Sequence, residues 1–73
     1  MKIRYDPETN ILTMRLSDRK IVDGDEPKPG VIVDFDADGH VVGFEILDAS
    51  EVVPNFNTVT WELERPPAAA TGS

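Results

Sequence analysis

No cysteine occurs anywhere in the chain. Disulfide staples, thiolate catalysis and cysteine-based zinc sites are therefore excluded, and a reducing compartment suits the composition. Histidine is nearly as scarce: His40 stands alone. With no cysteine and no serine in a nucleophile-elbow setting, one subunit cannot assemble a catalytic triad. No phosphate-binding glycine loop is present either. No apolar run approaches the roughly 20 residues of a membrane span. The first residues, MKIRYDPET, lack the apolar stretch of a signal peptide. These absences lead to the expectation of a non-enzymatic cytoplasmic protein without cofactor or membrane contact.

The net charge is -7 over 73 residues, and it is unevenly spread. Lys2, Arg4, Arg15, Arg19 and Lys20 dominate the first twenty positions, whereas from Ile21 to Glu64 a single Lys28 faces a long series of carboxylates. Such a middle repels phosphate backbones, which argues against nucleic acid and makes a basic protein partner electrostatically plausible. A domain this small has room for only a modest core, and self-association is the supplement left when disulfides are missing. A homodimer or higher homo-oligomer is expected.

The pattern along the chain is mainly β. Lys2 to Tyr5 and Ile11 to Ser17 alternate around DPETN, where Asp6 and Pro7 suit the start of a type I turn. A four-residue loop over Pro7 to Asn10 sets Tyr5 opposite Leu12, Ile3 opposite Met14 and Met1 opposite Leu16. One face is then wholly apolar, and a slip of one residue would mix it with Lys2, Arg4, Thr13 and Arg15. Residues 18–30 hold two prolines and two glycines and read as a surface connection, with at most a short edge strand over Lys20 to Asp23.

The stretch GVIVDFDADGHVVGFEILDAS, from Gly30 to Ser50, reads as a second hairpin about Asp38-Gly39. A two-residue loop there sets Phe35 opposite Val42, Val33 opposite Phe44 and Val31 opposite Ile46, making these side chains the expected core. The other face displays Ile32, Asp34, Asp36, Val41, Gly43 and Glu45, and is expected to lie beside the basic face of the first hairpin with charges paired across the sheet.

MKIRYDPETNILTMRLS followed by PGVIVDFDADGHVVGFEILDAS resembles the YuzE-like family of small domains of unknown function over roughly the first fifty residues. The resemblance implies a compact β-rich domain with no catalytic residues to carry over. It also implies an accessory or antitoxin-like role rather than an enzyme.

After Leu47, Asp48 or Ser50 is a candidate helix cap, but Pro54 limits any helix to about one turn near residues 48–53. Phe56 to Glu64 returns to a period of two, placing Val59, Trp61 and Leu63 on one side. A further strand is expected there, covering a sheet edge of its own or a neighbouring subunit, with these three residues as the interaction surface. RPPAAATGS lacks periodicity, so the domain is expected to span 1–65 and residues 66–73 to be disordered. The fold class that results is a small antiparallel β-meander of four to five strands that associates through sheet edges.

One chemical motif remains. Asp34, Asp36, Asp38, Gly39 and Glu45 satisfy the spacing of an EF-hand calcium loop. That loop must curl between two helices so that its oxygens converge on one ion. In an extended strand at about 3.3 Å per residue, Asp34 and Asp38 would stand roughly 13 Å apart. The structural hairpin is therefore expected, with its aspartates facing solvent and any function on that acidic surface. Weak divalent-cation or small-ligand binding by Asp34, Asp36, Asp38 and Glu45 is the alternative.

Overall fold

A computed structural model of the chain describes residues 1–65; the segment 66–73, expected to be disordered, lies outside the described residues. Five antiparallel strands form one open sheet: β1 (Lys2–Asp6), β2 (Ile11–Arg15), β3 (Asp23–Lys28), β4 (Val31–Phe35) and β5 (Val41–Ile46). A single helical turn, α1 (Ala49–Val52), follows. The strand order is β1-β2-β5-β4-β3, so a hairpin and a three-strand meander meet where β2 pairs with β5.

The first hairpin has the expected register, with Ile3 opposite Met14 and Tyr5 opposite Leu12. Its loop closes through Asn10 N donating to Asp6 O at 2.8 Å and Glu8 N donating to Asp6 Oδ1 at 2.9 Å. The aspartate thus accepts downstream amides in the way its place before Pro7 implies.

The second hairpin differs at its tip. Val31 faces Ile46 and Val33 faces Phe44 as parity requires, but Phe35 faces Val41 rather than Val42. Gly39 N donates to Asp36 O at 3.1 Å and Gly39 has φ of 83°, whereas Asp38 is not among the residues with positive φ. The turn therefore runs over Asp36 to Gly39 with only glycine left-handed, and it is not the type I′ turn that needs two positive φ angles. The odd loop is absorbed by a register shift between Asp34 and Phe35. Val42, the extra residue, is completely buried.

The connection before β4 also differs from expectation. The edge strand is β3, Asp23–Lys28, not Lys20 to Asp23. It includes Pro27, at the register shift between Asp25 and Lys28. An edge position tolerates this, because the missing amide faces no neighbouring strand.

One face of the sheet gathers Ile3, Tyr5, Leu12, Met14, Val31, Val33, Phe44 and Ile46. Its covering is partial. Asn10 O accepts from Ala49 N at 2.9 Å, and the Asn10 side chain exchanges hydrogen bonds with Ser50 (2.9 and 3.1 Å), which fixes α1 on the loop of the first hairpin. Asp48 takes the cap position but its side chain makes no capping bond. Phe56 then packs its ring on Tyr5 at 4.7 Å. Among the described residues only Val42 and Ala49 are fully buried apolar side chains. Val31, Val33, Phe35, Phe44 and Ile46 are half-buried, so the expected core is an incompletely covered sheet face.

Residues 58–65 form no strand within their own chain, so the strand expected over 56–64 covers no sheet edge of its own subunit. Among the described residues, no helix is long and apolar enough to cross a membrane.

Candidate functional site

The second hairpin divides the four candidate carboxylates into two groups. Asp36 and Asp38 lie at the turn with His40, and these three place ligand atoms within 4.8 Å of one another. Asp34 and Glu45 lie further along the strands, away from that cluster. The flanks are β4 and β5, so the helix-loop-helix setting of an EF-hand is replaced by strands.

At the turn, Asp36 is buried at 7% exposure, against the expectation of a solvent-facing carboxylate. Its Oδ1 accepts from Asp38 N at 2.9 Å and His40 N at 2.8 Å. Its Oδ2 accepts from Arg19 Nη1 at 3.0 Å and lies 3.3 Å from His40 Nδ1. Burial alone would raise its pKa. The His40 amide, the Arg19 guanidinium, the Asp38 amide and the His40 ring together outweigh that and hold it at about 2. Asp38 itself is exposed, and its carboxylate stands 3.8 Å from the same guanidinium. The carboxylate therefore organises the turn and anchors the crossing loop through Arg19.

Asp34 is buried at 4% exposure, flanked by Gly24 on β3 and Gly43 on β5. Its Oδ2 has no hydrogen-bond donor. Hydrogen-bonding proximity to the Asp34 carboxyl, burial and the Asp34 charge together raise the Glu45 pKa. A protonated Glu45 carboxyl is a donor that a neighbouring carboxylate can accept.

The acidic and basic faces do lie side by side, with Thr13 opposite Glu45, yet among the described residues the expected cross-sheet ion pairs do not form. Arg15 donates instead to the backbone oxygens of Ser17 (3.3 Å) and Arg19 (3.1 Å). Among the described residues no ion pair involves Lys2 or Arg4. These two, with Thr13 and Arg15, line an open groove of 570 Å³. Exposed acid is found instead on β3, at Asp23, Asp25 and Glu26.

The expected interaction residues are all exposed: Val59 at 62%, Trp61 at 75% and Leu63 at 84%. The sequence reading missed Arg19, whose role depends on where the loop crosses. It had a signal for Asp36, because Asp-x-Asp-Gly is an arrangement in which the first carboxylate accepts amides of the turn.

The sequence profile of a family described as protein of unknown function (DUF2283) matches residues 2–50, which take in all five strands. The chain belongs to this DUF2283 family. No curated protein and no solved structure matches the chain. The family match covers the Asp34, Asp36, Asp38 and Glu45 positions and stops short of the Val59, Trp61 and Leu63 segment.

Proposed function

We propose that this DUF2283 protein is a non-enzymatic interaction module that works as a self-associated cytoplasmic domain. The observation that carries the reading is the half-covered apolar sheet face. Ile3, Met14, Val33 and Phe44 share it, and among the described residues only two apolar side chains are fully buried. A second layer is the ordinary way to complete such a sheet. The YuzE-like resemblance and the exposed acid of β3 support an accessory or antitoxin-like role beside a basic protein. Sedimentation equilibrium tests the first part: a dimer or larger species at micromolar concentration is expected, and a monomer throughout the accessible range would overturn the reading.

A second reading rests on the buried Asp34 oxygen beside Glu45: a divalent cation or small ligand is held weakly between these carboxyls. Titration calorimetry with calcium, magnesium and manganese on chelated protein distinguishes the two. Under the interaction reading no micromolar binding is seen. Binding that Glu45→Gln abolishes would establish the cation site.

A further inference from the structure

Two features of the chain are each incomplete, and they complement one another. The first is the outer edge of β1, Lys2–Asp6, which pairs with β2 on one side only. Along it Met1, Ile3 and Tyr5 point to the apolar face, while Lys2 and Arg4 point to the other. The second is the segment 58–64, with Val59, Trp61 and Leu63 alternating against Thr58, Thr60, Glu62 and Glu64. Its apolar side chains are exposed.

We propose that segment 58–64 of one copy adds as an antiparallel strand to the β1 edge of a second copy, with reciprocal exchange closing a two-fold dimer. The proposal rests on the self-association reading and specifies its mode. An antiparallel register with Tyr5 opposite Trp61 sets Ile3 opposite Leu63, and on the reverse face sets Arg4 opposite Glu62 and Lys2 opposite Glu64. Apolar meets apolar and base meets acid at every one of these positions. A shift by one residue either way would set Arg4 opposite Trp61 or Leu63 and Ile3 opposite Glu62 or Glu64.

Competing occupants of the edge fit less well. The other sheet edge, β3, carries Pro27 and a register shift, both of which blunt strand addition. Pairing of the segment back onto its own β1 would satisfy the edge but leave Met14, Val33 and Phe44 half-covered. Reciprocal exchange satisfies the edge in both copies, with a self-complementary interface that closes at two copies.

Charge reversal tests the exchange directly. Lys2→Glu with Arg4→Glu in one variant, and Glu62→Lys with Glu64→Lys in another, each place like charges along the new strand pair. Each alone is expected to weaken dimerisation by at least about tenfold, with far-ultraviolet circular dichroism verifying that the sheet persists. An equimolar mixture of the two is expected to recover the wild-type dimer as a heterodimer, because each arm then meets an edge of opposite charge. Folding back within one chain cannot be rescued by mixing. Failure of the mixture to associate would overturn the exchange, as would variants that dimerise as tightly as wild type, although self-association itself would then stand. A wild-type monomer would overturn both.

Discussion

The carboxyl of Glu45 on β5 stands beside that of Asp34 on β4, and among the described residues the buried Asp34 oxygen Oδ2 has no hydrogen-bond partner. A strand pair of this kind is a source of pH dependence. Because the Glu45 pKa is raised on folding, its stabilising contribution is fully present below the ordinary value of 4.5 and is lost as the pH rises through the folded value.

Glu45→Gln replaces the titrating proton with permanent amide donors. The variant is expected to be more stable than wild type at pH 7 by about 0.5–1 kcal/mol, a modest figure because Glu45 is partly solvated. The two proteins converge toward pH 4. Urea denaturation across pH 4–8 checks this, and a constant difference between the two would contradict a raised Glu45 pKa.

Asp36 has the opposite sign. Its pKa falls from 3.8 to about 2 on folding, so its contribution is present above 3.8 and is lost as the pH drops through 2. Asp36→Asn is expected to lower the midpoint of thermal unfolding at neutral pH and to flatten the loss of stability between pH 4 and pH 2. Differential scanning calorimetry over that range reads both effects. Arg19→Gln removes the guanidinium partner and should reproduce part of the change, while retaining the two amide bonds to Asp36 Oδ1.

How these residues came to be legible, or not, follows from the range of the interactions involved. The register of the first hairpin is a local property of alternation plus one turn, and Ile3 opposite Met14 was readable from parity. Parity also placed Val33 opposite Phe44. It failed at Phe35, because a bulge near Asp34 absorbs an odd loop in place of the expected two-residue one. The burial of Asp34 and Asp36 was not legible for a different reason. Alternation assigns a side chain to a face, but a flanking Gly43 or a crossing loop bearing Arg19 decides whether that face is open. Residues 56–64 have clear strand periodicity, yet periodicity does not say which edge a strand joins.

Asn10 links the sheet to its covering turn. Its Oδ1 accepts from Tyr5 Oη at 2.8 Å and Ser50 N at 3.1 Å, its Nδ2 donates to Ser50 Oγ, and its backbone takes φ of 58°. Asn10→Ala removes the side-chain bonds and places a residue ill-suited to the left-handed region. A loss of about 1–3 kcal/mol is expected. Asn10→Gly relieves the backbone cost but not the lost bonds, and should fall between the two. Hydrogen exchange at the amides of Ala49 and Ser50 would accelerate in both variants while β4 and β5 remain protected.

Gly43 marks the closest approach in the sheet. A Cβ at this position would collide with the carbonyl oxygen of Met14, and would also crowd Arg15 Cα at 3.3 Å. These are backbone atoms of the neighbouring strand, so no side-chain rotation makes room, and β2 would have to separate from β5. Since β2–β5 is the only strand pairing that joins the hairpin to the meander among the described residues, its loosening affects both units. Gly43→Ala is accordingly expected to cost at least about 2 kcal/mol, at the upper part of the overpacking range. Gly39→Ala is the informative comparison. That position has open space around it but φ of 83°, so only backbone strain of about 1–2 kcal/mol applies. Chemical denaturation of the two variants separates the causes. Gly43→Ala should expose the amides of both β2 and β5 to exchange, whereas Gly39→Ala should disturb the turn alone. Equal and local effects from both would show that β2 and β5 are not held at the distance described.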